Sequence, residues 1–345
     1  TLFPYTTLFR SVSTTTGLRA RAWYPSVNPS LIGTASYLYV NVPDRTIPVM
    51  NLVIDPKHLF DPTTRIYTNF NARGDAWERP GHAVFMNPDG TQVHESGVGV
   101  RINGGTSRGA AKKSLRLYLR ASYGAPEWSL PWLERTSAPA FDQLVLRSNN
   151  NDGILNASAT ELNQVTFLRD ELLRDLHSRT GAVSVDGFFF ALYINGQYWG
   201  LYNACERVKA DYMQAKVGGA DWDVVKGTWN STLKYHTEVL DGDLVEWNNF
   251  LAWLDANDVS TPAGLEALKQ RIDYTGFLEY FALNIAAQNH DWPQNNWIAT
   301  RRRGDPTAKW SFHQNDGEWG LGLRPSGSTS DTIVWAQGSN YMTSP

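Results

Sequence analysis

The chain has 345 residues, 42% hydrophobic and 12% aromatic, enough to bury a large core in one big domain or two unequal ones. A formal net charge of −3 provides no bulk field to hold a nucleic acid or an anionic membrane surface, and no apolar run reaches the length of about 18 residues needed to span a bilayer. A single cysteine, Cys205, excludes an internal disulfide and a cysteine-built zinc site, which leaves core packing as its expected role.

Residues 1–11, TLFPYTTLFRS, read as a translated sequencing adaptor, which puts the natural start outside this sequence and leaves a leader peptide undecided. Residues 12–42 alternate as short strands, first around Leu18, Ala20 and Ala22 and again over 37–42, with Pro25, Pro29 and Gly33 between. The pattern R-A-x-A-(Y/W) followed by Pro-Ser is similar to the end of the small β-sandwich appended to bacterial chitobiases and many secreted proteins. That likeness implies an extracellular setting. A second domain is expected over 43–345, cut short at its C-terminus.

Residues 47–54 form an apolar run fit for a buried strand, followed by Asp55-Pro56 and one helical turn at 58–61. A strand at 83–86 ends in Asn87-Pro88-Asp89-Gly90, where proline fixes φ and glycine admits positive φ. Two more strands, 98–103 and 112–120, flank the loop GGTSRG at 104–109. Glycines there let backbone N–H groups converge on an anion, with Arg108 adding a charge-assisted contact to phosphate; a plain glycine-rich hairpin is the other reading. Along the second strand Lys113, Leu115, Leu117 and Leu119 share one face. A lysine on a core face needs an anion partner, and protein kinases carry their ATP lysine on such a strand, so Lys113 is the candidate with Lys112 in reserve.

A strand at 144–147 and a polar loop at 148–153 lead to residues 161–180, predicted as one long helix. Its Leu162, Val165, Leu168, Leu172 and Leu176 make an apolar stripe, closed by Gly181. Asp170 and Glu171 on this helix are either the carboxylate partner of the ATP lysine or solvated charges. Residues 187–194 and 198–205 flank Asn195-Gly196, the signature of a type I′ hairpin. Glu206 follows where a two-lobed enzyme hands over to its helical half. It is placed either to contact a nucleotide or to cap a helix at 211–216. From there to residue 289 helices are expected, including one with Leu244, Trp247, Leu251 and Leu254 on one face, one started by Thr261-Pro262, and an apolar one over 274–287. Strands first and helices second give an α+β chain with a β-rich N-terminal lobe and a mostly helical C-terminal lobe.

The richest stretch is 289–319, NHDWPQNNWIATRRRGDPTAKWSFHQNDGEW. An Asp followed five residues later by an Asn, then after a short hairpin by another Asp, is the order in which protein kinases present a base and two metal ligands. A phosphoryl group in flight carries spread negative charge, so its transfer depends on positioning and on Mg²⁺ held by hard oxygens. Asp291 supplies a proton acceptor, and Asn296 and Asp316 supply such oxygens. Asp and Asn beside proline also cap turns, which is the competing reading.

The strings WERPGHAVF, RINGGTSRGAAKKSLRLYLRASYG, FLRDELLRDLHSRTG, LYINGQYWGLYNACERV, NHDWPQNNW and WSFHQNDGEWGLG occur in this order from about residue 47 onward. In them the chain resembles the CotH family of atypical kinases, first known from bacterial spore-coat protein H. The resemblance implies a kinase-like fold and phosphorylation of Ser or Thr in a protein substrate, using ATP and Mg²⁺ or Mn²⁺. It further implies Asp291 as catalytic base, Asn296 and Asp316 as metal ligands, Lys113 as the ATP lysine and Glu206 at the hinge. Two positions depart from the family pattern: Asn315 stands where an aromatic residue is usual, and the second acid is Glu318 in place of Asp. Glu318 adds a metal contact or marks a site that binds nucleotide without turnover. The DWP…NNW…E form looks like the large secreted branch of the family, which implies a place outside the cell or in its envelope.

A competing reading is a non-catalytic extracellular or envelope module that binds nucleotide or glycan, its 14 tryptophans serving a rigid core or sugar stacking. A metal-dependent hydrolase built on Asp291, Asp316 and Glu318 is opposed by the lack of a histidine cluster, since only His290 and His313 of the seven histidines are near these acids in sequence.

Overall fold

The structure, a computed structural model, describes residues 16–20, 22–28, 33–37, 46–63, 65–133, 140–155, 161–230, 232–323 and 332–333. The expected adaptor at 1–11 and the strand end at 38–42 lie outside these residues. Strands β1 (Thr16–Ala20) and β2 (Gly33–Tyr37) pair antiparallel as a separate two-stranded sheet. It rests on β3 (Val49–Ile54), where Asn51 Nδ2 donates to Ser36 Oγ at 2.9 Å.

β3 opens a closed barrel whose other strands are β4 (Arg79–Met86), β5 (Gln92–Ile102), β6 (Leu115–Tyr118), β7 (Gln143–Arg147), β8 (Gly187–Ile194) and β9 (Gln197–Cys205). The strand order is β3-β4-β5-β6-β7-β9-β8, and the parallel pairing of β8 with β3 closes the ring and removes both sheet edges. The interior is filled by alternate residues of each strand, among them Leu52, Phe85, Val100, Leu117, Leu146 and Phe190. Leu115, Leu117 and Leu119 are buried, as their shared parity predicts. The β8–β9 turn forms at Asn195 (φ 52°) and Gly196 (φ 79°), the two positive dihedrals that a type I′ turn requires. Between the strands of the expected phosphate loop the chain makes only a short 3₁₀ turn, Thr106–Gly109.

The helices are short: α1 (Pro56–Phe60), α2 (Arg169–Arg179), α3 (Ala210–Val217), α4 (Val245–Ala256), α5 (Pro262–Lys269) and α6 (Tyr274–Ala286). Helix α5 starts where its cap predicts, with the Thr261 hydroxyl accepting from the Gly264 N–H. None is long and apolar enough to cross a membrane. The second half of the chain contains an antiparallel sheet of four strands, β10 (Trp222–Asn230), β11 (Lys234–Asp241), β12 (Trp297–Arg302) and β13 (Ser311–Gln314), in the order β11-β10-β12-β13. The expectation of a two-lobed kinase fold with a mostly helical C-terminal lobe is therefore wrong: among the described residues the chain is β-rich, a closed seven-stranded barrel with six short helices.

Two segments account for that error. The apolar positions of β10 do not alternate, so its residues fall within the stretch expected to be helical. Val224 packs with Val208, Tyr212 and Ile298 on one face of the sheet, whereas Val225 packs with Trp247, Phe250 and Trp310 on the other. A central strand buried on both faces loses the period of two. Helix α2 is the opposite case. It starts at Arg169, after a separate 3₁₀ turn at Leu162–Gln164, and the predicted stripe faces outward, with Leu168, Leu172 and Leu176 at 53%, 41% and 39% exposure. Arg169, Asp170, Leu173, Arg174 and His177 are buried instead. The burial of charge is tolerated because each charge is paired: Arg169 with Asp152, and Arg174 with Asp170 and Glu171.

The tryptophans serve the core in at least five cases, with Trp128, Trp222, Trp247, Trp292 and Trp310 all buried. Cys205 is buried as expected, and burial raises its thiol pKa.

Candidate functional site

A polar cavity of about 790 Å³ lies between the barrel lip and the four-stranded sheet. Of the residues singled out from the sequence, Asp291, Asn296, Asp316, Glu318, Arg108 and Glu206 line it; Lys113 and Glu171 do not. The acid-bearing segments reach it by different routes. Asp291 and Asn296 stand on the loop between α6 and β12, whereas Asp316 and Glu318 follow β13. Asn296 and Asp316 both adopt left-handed backbone (φ 60° and 58°), a conformation that Asn and Asp tolerate better than other side chains and that gathers at functional sites.

Arg147, at the end of β7, organises the acidic side. Its Nη2 donates to Asp316 Oδ1 at 2.9 Å and to Glu318 Oε1 at 2.7 Å, and its Nε lies 3.1 Å from Asp170 Oδ2. Burial disfavours its charge, but the carboxylates of Asp170, Asp316 and Glu318 more than offset this and hold its pKa well above the ordinary arginine value. Asp170 is also buried, yet Arg147, Arg174 and the Gly317 N–H (2.8 Å) keep its pKa low. Glu318 goes the other way: burial first, then the Asp316 charge, push it up to about 7.

On the other loop Asp291 Oδ2 accepts from Asn296 Nδ2 at 2.7 Å and Oδ1 from Asn295 Nδ2 at 3.3 Å. Asn296 thus orients the Asp291 carboxylate through its amide nitrogen. The pair gives the cavity a proton acceptor with a neighbouring hard oxygen.

Three expected roles meet different partners. The ammonium of Lys113 is held by the backbone carbonyls of Arg108 and Ala110, both at 2.8 Å, and lies over the Phe70 ring at 4.5 Å. The anion expected beside a core-facing lysine is supplied by carbonyl dipoles and an aromatic face. Arg108 is buried with its guanidinium donating to the carbonyls of Phe70, Ile102 and Ala72, so it braces the loop. Glu171 pairs with Arg174 at 2.8 Å and accepts from Asn203 Nδ2 at 3.0 Å. The helix carboxylate that meets a strand cation is Asp170, and its cation is Arg147.

Glu206 is buried, and neither carboxylate oxygen has a hydrogen-bond partner among the described residues. Burial lifts its pKa from the ordinary 4.5 to about 7. A carboxyl that holds its proton more tightly when folded contributes fully below 4.5, and that contribution is lost as pH rises through about 7. Glu206→Gln is therefore expected to flatten stability across this window and to make the variant the more stable chain at about pH 8, by on the order of 1–3 kcal/mol. Thermal denaturation at about pH 5 and about pH 8 checks it, and a wild-type stability that rises between them rules the assignment out.

Sequence reasoning missed Arg147 and Lys226, which also line the cavity. Arg147 carries a signal only in its place at a strand end, and Lys226 only in interrupting the apolar run of β10. His313, considered with a hydrolase, is buried between Thr300 Oγ1 (2.8 Å) and the Val183 carbonyl (2.7 Å) and contributes nothing to the cavity.

Among the described residues no three His, Cys, Asp or Glu side chains form a metal cage. Mg²⁺ bound with a nucleotide needs fewer, since one or two protein oxygens suffice when phosphates and water complete the shell. Asp316, with 36% of its side chain exposed, and the carbonyl of Asn296 fit that donor set. Glu318 does not fit, because Arg147 and the Asn151 N–H (2.7 Å) engage one oxygen each.

Fold and site together define a barrel-and-sheet protein whose polar cavity sets hard-oxygen acids against buried cations. Within that class the match is specific: a model of the family described as CotH kinase protein covers residues 100–344, and the chain belongs to this family. Membership suggests a kinase-like function. No curated protein matches the chain.

Proposed function

We propose that the chain transfers the terminal phosphoryl group of ATP, with Mg²⁺ or Mn²⁺, to a Ser or Thr hydroxyl of a protein substrate, and that it works outside the cell or in its envelope. One observation carries the reading: Asp291, Asn296 and Asp316, from two loops, line one cavity, with the base already oriented by Asn296 at 2.7 Å. The Asp291 carboxylate takes the hydroxyl proton as that oxygen bonds to the terminal phosphorus, the bond to the bridging oxygen breaks, and ADP leaves. Asp316 and the Asn296 carbonyl would hold the divalent ion, which when bound neutralises charge on the phosphates. Arg147, donating through Nη2 to Asp316 Oδ1 at 2.9 Å, fixes that carboxylate in place.

A second reading, a module that binds nucleotide without turnover, is supported by the pairing of Asp316 Oδ1 with Arg147 at 2.9 Å, which engages an oxygen the divalent ion would need. Incubation with terminally labelled ATP and Mg²⁺ or Mn²⁺ separates the two. Label transfer to protein that disappears in Asp316→Ala, by a factor on the order of 10³ or more, supports the enzyme. Nucleotide binding with no label in either chain supports the module.

A further inference from the structure

The cations around the cavity are mostly committed. Arg116 donates to Asn103 Oδ1, Arg101 to Glu78, Arg108 to three carbonyls, and Arg147 and Arg174 to the acidic cluster. Lys226 also lines the cavity, and its ammonium makes no hydrogen bond or ion pair with any described residue. It stands mid-strand in β10, in register with Glu238 of β11 and Ile298 of β12. Its neighbour Gly227 accepts the Asn296 N–H at 3.1 Å, which ties the strand carrying Lys226 to the loop carrying the proton acceptor. That glycine has no room for a side chain, because a Cβ there would meet the Trp297 indole at 2.1 Å, so the tie is locked by packing. Burial lowers the Lys226 pKa, and the charges of Asp316 and Glu238 act against that lowering. A half-buried ammonium that no described residue hydrogen-bonds, facing a polar cavity, has the chemistry of an anion contact for a ligand.

We infer that Lys226 is a phosphate-binding residue, its ammonium taking a terminal phosphate oxygen beside Asn296 and Asp316, the part that sequence reasoning gave to Lys113. The inference rests on the nucleotide reading above and goes further by naming the residue that recognises the polyphosphate. The test is calorimetric titration of the full chain with Mg²⁺-ATP and with inorganic tripolyphosphate, using wild type, Lys226→Met and Lys226→Arg, alongside melting temperatures. Lys226→Met is expected to weaken both ligands about 10- to 100-fold, Lys226→Arg to restore most of the loss, and neither to lower the melting temperature. Equal affinities in wild type and Lys226→Met overturn the inference while leaving the nucleotide reading intact. A lowered melting temperature in Lys226→Met also overturns it, by showing a structural role. A wild type that binds neither ligand overturns the nucleotide reading itself, and this inference with it.

Discussion

Arg147→Met is expected to destabilise the chain by about 3–5 kcal/mol, the largest effect of any single substitution at the site. The guanidinium bridges Asp170, Glu318 and Asp316, and two of those carboxylates are almost fully buried, at 3% and 5% side-chain exposure. Without it, among the described residues, Arg174 is the one paired cation left on Asp170, and Glu318 keeps only the Asn151 N–H. The Asp316 arm, more exposed, contributes least because solvent screens it. Lysine in place of Arg147 rescues only in part, since a point charge cannot reach three carboxylates as a planar fork does. Urea denaturation of the two variants checks the ordering, and a loss below about 1 kcal/mol for the methionine variant would show that the cluster is held by something other than Arg147.

Asp291→Asn is expected to lower turnover about 10²- to 10⁴-fold, the usual contribution of a positioned base, while ATP affinity stays within about threefold of wild type. The amide retains an oxygen to accept from Asn296 Nδ2, so the shorter of the two loop bonds survives, while the proton acceptor and the longer bond from Asn295 Nδ2 are lost. Steady-state kinetics beside a nucleotide titration give the two numbers separately. Undiminished turnover removes Asp291 from the role of base; a parallel fall in affinity makes it a positioning residue instead.

Much of the barrel is legible in the amino-acid sequence. The parity of Leu115, Leu117 and Leu119, the Asn195-Gly196 turn and the apolar run of β3 are local signals with local physical causes, and all three stand in the folded chain. The strings of the CotH family, and the acids and amides in them, are also readable one residue at a time. What fails is inference from one apolar period to one buried face. In α2 the buried face is charged and the leucines are outside; in β10 both faces are buried and no period survives.

The sequence by itself determined the family, the barrel hairpins and which acidic and amide side chains are available for chemistry, because each is written in contiguous residues. Only the tertiary structure decided which cation meets which acid. Arg147 reaches Asp316 across 169 residues, Lys113 is taken by carbonyls three and five residues away, and Lys226 is left facing the cavity. Such pairing follows from where strands close a barrel and from which charges burial forces together. Spacing along the chain carries no record of either.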